Sequence, residues 1–70
     1  MDDRQRLLTV INHWIEHNDS HSGEYRRWAQ KAEELGLEPA RAEIEEAMGL
    51  LSRMNYHLRK AIETIHPATE

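Results

Sequence analysis

Mostly apolar residues recur along this chain at alternating intervals of four and three, the heptad spacing of packed α-helices. One stripe ends at Leu35, and a second begins at Ala40 without a change in spacing. The pattern therefore predicts two long helices. The first stripe comprises Leu7, Ile11, Trp14, Asn18, His21, Tyr25, Trp28, Ala32 and Leu35, and the second comprises Ala40, Ile44, Ala47, Leu51, Met54, Leu58, Ala61 and Ile65.

The segment between the stripes, ELGLEPARAEI, has the composition of a tight connection between helices. Gly36 suits the left-handed position just past a helix end, Leu37 can fold back onto the last turn, and Pro39 suits the first turn of the next helix. Pro67 stops the second helix, because it lacks an amide donor and disfavours helical geometry at the preceding residue. The prediction is a single domain over residues 1–70, with helices at about 3–35 and 39–66 and a turn at 36–38.

Two helices with matched stripes predict an all-α fold, an antiparallel helical hairpin. The apolar surface is wider than one helix pair buries, because further apolar residues lie on both flanks of the stripes. Two hairpins that cover each other form a four-helix bundle, so a homodimer is expected; a trimer or a different protein partner does the same physical job. The flanking residues are Leu8, Ile15, Met48 and Ile62 on one side and Val10 and Leu50 on the other.

Composition and charge reduce the number of function classes that fit this chain. A 70-residue chain buries only about 60% of its unfolded surface, which favours self-association. The net charge of −4 gives no electrostatic footprint for nucleic acid. Cysteine is absent, and the sequence contains no long apolar run and no catalytic motif. Asp2, Asp3 and Arg4 stand where a signal peptide needs a basic and then apolar start, so no signal peptide is expected. We expect a cytoplasmic protein that is not an enzyme and binds neither nucleic acid nor membrane.

The stretch NDSHSG at residues 18–23 is the one place where local propensity opposes the heptad pattern. Its residue types prefer caps and turns, and glycine costs about 1 kcal/mol relative to alanine inside a helix. A break here gives three helices as the alternative. The heptad phase passes through the stretch unchanged, which favours one continuous helix with Gly23 and Gly49 on outer faces.

The histidines are the candidate functional residues of the chain. His13, His17 and His21 recur at intervals of four, so that neighbouring pairs stack on one helix face. The hairpin sets residues whose numbers sum to about 72 or 73 side by side, which places His57 level with the first two. These spacings predict a divalent transition-metal site formed by His17 and His57 with His13 or His21, and Glu16 or Glu24 completes or orients it. Imidazole and carboxylate without thiolate suit nickel, zinc, cobalt or copper(II), and the ligand types do not choose among these ions. The predicted function is that of a carrier, sensor or accessory factor for such an ion, with nickel or zinc as the expectation.

The competing interpretation is a non-catalytic structural or protein-interaction module. A polar residue on a helix seam fixes register and partner orientation. Asn18 and His21 then serve only that purpose, with His21 facing Leu51 and Met54, and the tryptophans are core residues. A di-iron centre is disfavoured because only Glu63 and His66 have the required spacing.

The run HWIEHNDSHSGEYRRWAQKAEELGL resembles a small uncharacterised helical domain family of bacteria and archaea. The shared pattern is H-W-I-E-H-N, a later histidine, and E-Y/F-x-x-W-A, and the likeness covers nearly the whole chain. The resemblance implies a helical fold and no specific activity. This chain departs from the pattern at Asp19, Ser20, Ser22 and Gly23. The matching residues are His13, Trp14, Ile15, Glu16, His17, Asn18, His21, Glu24, Tyr25, Trp28 and Ala29.

Overall fold

The computed structural model describes residues 2–65, which form two α-helices joined by a short turn. Helix α1 spans Asp3–Glu34 and helix α2 spans Glu38–Ile65. They pack against each other as a hairpin whose extents are 52 × 18 × 13 Å. The all-α hairpin is therefore confirmed. The expected helix stop at Pro67 lies outside the described residues.

Helix α1 is continuous through residues 18–23, so the three-helix alternative is wrong. The helix begins where the Asp2 carboxylate accepts a hydrogen bond from the Gln5 amide at 2.9 Å, which satisfies one of the free amides of the first turn. Within NDSHSG, Asn18 and Asp19 direct their side chains to α2. Contacts between the helices thus outweigh the local turn preference of these residues.

The turn between the helices closes as the sequence predicts. Gly36 has a φ of +75°, the left-handed conformation that glycine adopts most easily. Its amide donates to the Glu33 carbonyl at 3.0 Å, and the Leu37 amide donates to the Ala32 carbonyl at 2.9 Å. These two bonds define a Schellman motif. They hold α1 and α2 in an antiparallel arrangement and so fix which residues face each other.

The side chains buried between the helices form what we call the inner seam. It is narrow and built mainly from isoleucine and alanine in α1, where Ile11, Ile15, Ala29 and Ala32 are buried. Small residues allow the two backbones to approach closely. The half-buried members are Leu8, Asn18 and Ser22 in α1 and Ile44, Met48, Leu51, Leu58, Ile62 and Ile65 in α2, where Asn55 is buried.

This arrangement corrects the predicted stripe. Ile11, Asn18 and Ala32 lie between the helices as expected, but the intervening positions are one residue later, at Leu8, Ile15, Ser22 and Ala29. Both helices are therefore rotated relative to the prediction. The predicted positions Leu7, Trp14, His21, Trp28, Leu35 and Met54 are exposed or only half-buried. Trp14 is 47% exposed and Trp28 62% exposed, so the tryptophans are not core residues of the hairpin.

A polar network crosses the middle of the inner seam. Asn55 is only 4% exposed; its amide nitrogen donates to Asp19 at 2.9 Å and to the Ile15 carbonyl at 3.4 Å. Its oxygen accepts from Asn18 Nδ2 at 2.9 Å. Asp19 also pairs with Arg59 at 3.6 Å. Since Asn18 pairs with Asn55, residues whose numbers sum to about 73 lie at the same level, as the sequence predicted.

Candidate metal centre

Rotation of the helices leaves one broad side of the hairpin uncovered, and we call it the open face. Successive residues of an α-helix are about 100° apart around its axis. This angle places two stripes of residues from each helix on the open face, one next to the inner seam and one further from it. Neither helix carries an apolar stretch long enough to cross a membrane within residues 2–65. The open face comprises Leu7, Val10, Trp14, His17, His21, Glu24, Trp28, Lys31 and Leu35 in α1 and Ala40, Glu43, Ala47, Leu50, Met54, His57 and Ala61 in α2.

Two imidazoles meet near the middle of this face. The Nε2 atoms of His17 and His21 are 3.1 Å apart, and the ring centroids are 4.4 Å apart at an interplanar angle of 69°. The helix creates this contact because residues four apart are stacked neighbours. Zinc bonds imidazole nitrogen at about 2.0–2.1 Å, so two nitrogens on one tetrahedral ion are roughly 3.3–3.4 Å apart. The pair therefore needs only a small adjustment to chelate a single ion.

Glu24 contacts the other nitrogen of His21. Its Oε1 atom is 3.4 Å from His21 Nδ1, and both side chains are partly exposed. When His21 donates from Nδ1 to Glu24, its Nε2 atom carries a lone pair and can accept from His17. The same tautomer is the one required for metal binding through Nε2. Glu24 is therefore placed to orient His21, as one of the two roles predicted for this glutamate.

His13 and His57 occupy different surroundings from the pair. His13 stacks on His17 with ring centroids 6.1 Å apart, but by register it points away from the open face. His57 lies on that face and packs against Tyr56. Within residues 2–65 of one chain, no three histidine, aspartate or glutamate side chains come together as a ready-made metal site. The predicted site of His17, His57 and a third ligand is therefore not assembled within the described residues of one hairpin.

The predicted core role of His21 also requires correction. His21 was expected to face Leu51 and Met54, yet its side chain is 40% exposed and contacts His17 and Glu24 instead. Asn18, by contrast, does lie between the helices and donates to Met54 Sδ at 3.3 Å. Sequence reasoning missed the buried Asn55, which carries the central hydrogen bonds. A second three-and-four spacing, from Leu7 through Val10 and onward, is the signal that identifies the open face.

The comparisons with known proteins place the chain in a family. Residues 7–65 match the family model described as Domain of unknown function (DUF8180). No curated protein and no solved structure gives a significant match. The match covers both helices and includes the histidine pair, which confirms the predicted likeness to an uncharacterised family of small domains. The chain belongs to the family of the domain of unknown function DUF8180.

Proposed function

We propose that this protein binds a divalent transition metal ion through His17 and His21 and acts as a cytoplasmic carrier, sensor or accessory factor. The supporting observation is the 3.1 Å separation of the two Nε2 atoms. The contact of Glu24 with His21 Nδ1 leaves Nε2 free for the ion. Without thiolate ligands, the site suits nickel or zinc.

Chemically, two neutral imidazoles that bind one ion through their Nε2 atoms form a chelate. The hydrogen atom between the two Nε2 atoms belongs to one imidazole, and that ring must carry its proton on Nδ1 instead when its Nε2 binds the ion. Metal binding must therefore weaken on acidification, because protonated imidazole has no lone pair to donate. Partial exposure of the pair allows the ion to enter and leave, which fits transfer or sensing better than permanent structural binding.

Calorimetric titration of the tag-free chain with nickel and with zinc tests this proposal. We expect a dissociation constant in the micromolar range or tighter, and a loss of at least about tenfold in the His17→Ala and His21→Ala variants. The control is His13→Ala, which removes an imidazole that points away from the open face. Affinity no tighter than about millimolar, or equal affinity in all three variants, contradicts the proposal.

A second function is supported by a different observation, the exposure of the open face. Most of the exposed large hydrophobic residues of the described chain lie there, whereas the inner seam contains only four buried apolar residues. Exposed apolar patches of this extent mark interaction sites. We therefore propose a protein-interaction module whose first partner is a second copy, giving a homodimeric four-helix bundle.

The dimensions and charges of the open face favour a second copy as its occupant. Extents of 52 and 18 Å give a footprint of roughly 900 Å², close to the about 800 Å² that each partner of a stable complex buries. The stripes next to the inner seam contain no charged residue: they comprise Leu7, Trp14, His21, Trp28 and Leu35 in α1 and Ala40, Ala47, Met54 and Ala61 in α2. Charge depletion of this kind is typical of an interface core.

Light scattering of the metal-free protein at micromolar concentration tests the dimer independently of the metal. We expect twice the mass of the 8.3 kDa chain. A folded chain with the mass of a monomer contradicts self-association and leaves a different protein as the partner of the open face. Metal titration and light scattering can fail separately, so each proposal has its own test.

A further inference from the structure

This inference rests on both parts of the proposed function and concerns how the two copies are arranged. A two-fold axis can set the open face against its own copy in two ways. An axis parallel to the helices places α1 against α2 of the partner. An axis perpendicular to the helices, within the interface, places α1 against α1 of the partner and α2 against α2. The two arrangements bring different side chains together.

Side-chain volumes favour the axis parallel to the helices. On the open face, α1 carries both tryptophans and α2 carries three alanines. In this arrangement, residues of the two chains whose numbers sum to about 73 lie at the same level. Trp14 therefore lies between the partner's His57 and the partner's Ala61, and Trp28 lies next to the partner's Ala47. Large residues then oppose small ones, which fills an interface evenly. The other arrangement sets the two tryptophan-bearing helices against each other and the two alanine-bearing helices against each other.

Charges on the open face favour the same arrangement. Lys31 and Glu43 are both on this face and exposed. Residue 31 is level with about residue 42 of the other helix, so Lys31 of one copy lies beside the partner's Glu43. Opposite charges across an interface select partner orientation.

The same register brings a third imidazole to the chelating pair. Residue 17 is level with about residue 56, so His17 of one copy lies beside the partner's His57 across the interface. We infer that the metal site is completed between subunits: His17 and His21 of one copy with the partner's His57. The two-fold axis then creates two equivalent sites, close to the middle of the bundle.

A site shared between two chains agrees with the absence of any group of three such ligands among residues 2–65 of one chain. Three neutral nitrogen ligands leave one position of a tetrahedral zinc, or more of a nickel ion, open to water or a small anion. Glu24 orients one of the ligands from outside the ligand set. Metal binding at this site is coupled to dimerisation, because neither chain holds the full set.

Native mass spectrometry of mixed dimers tests the inference. One variant carries His17→Ala and His21→Ala together, and the other carries His57→Ala. Each variant alone lacks a complete site, so we expect each to lose at least about tenfold in zinc affinity relative to the wild type. After the two variants are refolded together, the mixed dimer regains one complete site. We expect it to hold one zinc ion at micromolar zinc, while both parent dimers hold none and the wild-type dimer holds two.

Other outcomes overturn the inference in distinguishable ways. Wild-type affinity in His57→Ala shows that His57 is not a ligand and that the His17–His21 pair, alone or facing a second pair, holds the ion. Mixed dimers without zinc indicate a site within one chain. Failure of the variants to form mixed dimers shows that the copies do not share this two-fold interface. A wild-type chain that is monomeric refutes the proposed dimer, and one that binds no metal refutes the proposed metal site; either result refutes the inference as well.

Discussion

Asn18 and Asn55 meet across the hairpin, with Asn18 Nδ2 donating to Asn55 Oδ1 at 2.9 Å. Asn55 is buried, and its amide nitrogen makes two further contacts with α1. No apolar pair can satisfy these groups, and a slip of either helix by one turn breaks all of the bonds together. The two asparagines therefore fix the level at which the helices pair.

The first prediction concerns the stability that this contact provides. Asn55→Ala removes three hydrogen bonds and leaves the amide of Asn18, in a partly buried site, with only its contact to Met54 Sδ. We expect a loss of about 1–3 kcal/mol in the free energy of unfolding, measured by urea denaturation. Asn12→Ala is the matched control, because Asn12 is exposed and bonds only to the Leu8 carbonyl of its own helix. Equal effects of the two substitutions contradict the prediction.

The sequence predicted the helical hairpin correctly, because the signals that define a hairpin are local in the chain. The turn at Gly36 and the four-and-three spacing are short-range signals that survive in the folded chain. The rotation of the helices was not predictable in the same way. The apolar stripe is wider than one interface, so two rotations satisfy it, and the choice depends on which residues pack most closely. Ala29 and Asn55 favour the observed rotation of the helices. In this rotation Ala29 lets the two backbones approach closely, and Asn55 pairs with polar groups of α1.

Two glycines are predicted to respond oppositely to the same substitution. No atom lies within 4 Å of a Cβ added at Gly36 or at Gly49, so neither substitution causes a clash. Gly36 has a φ of +75°, and Gly36→Ala should cost about 1 kcal/mol of stability through backbone strain. Gly49 lies within α2, and Gly49→Ala should add about 0.5–1 kcal/mol. Thermal unfolding of the two variants checks the sign; a stabilising Gly36→Ala contradicts the assigned turn.

The open face predicts which aromatic residue controls dimerisation. Trp28 and Tyr56 are similarly exposed, at 62% and 57%, but only Trp28 lies on the open face. Trp28→Ala should weaken the dimer by about 2 kcal/mol, or roughly thirtyfold in its dissociation constant. Tyr56→Ala should leave that constant within about twofold. Sedimentation equilibrium measures both, and a larger effect at Tyr56 indicates that the copies meet on another side.

The start of α2 has a defined response to pH. A hydrogen bond from Arg41 lowers the pKa of Glu38 below its ordinary value, and the charge of Arg41 acts in the same direction. Because the folded-state pKa is lowered, the pair stabilises the helix start above the ordinary glutamate pKa, and this contribution is lost as the pH falls through the lowered value. Arg41→Gln should return the pKa of Glu38 towards its ordinary value in an NMR titration. Arg53→Gln, three helical turns away, is the control and should leave it unchanged.

The sequence predicted only part of the candidate metal site, because the site also depends on the rotation of the helices. The i, i+4 pairing of His17 and His21 follows from helix geometry alone, and the structure shows it. The common level of His17 and His57 also followed from the turn position. What the sequence could not give was the sideways direction of each imidazole, because that depends on the rotation of the helices. The observed rotation turns His17 and His57 outwards on the same face, and in the proposed dimer they meet across the interface.

The last prediction separates an orienting role of Glu24 from direct metal binding. Glu24 lies 3.4 Å from His21 Nδ1, and Glu24→Gln keeps its shape while removing the charge that favours the Nδ1–H tautomer. Loss of such a partner typically reduces metal affinity by about 10- to 100-fold. Glu16→Gln is the control, since Glu16 is exposed on α1 but points away from the open face. Both affinities are measured by zinc titration at fixed pH. Unchanged affinity in Glu24→Gln refutes the orienting role, whereas a loss as large as that of His17→Ala indicates that Glu24 binds the ion itself.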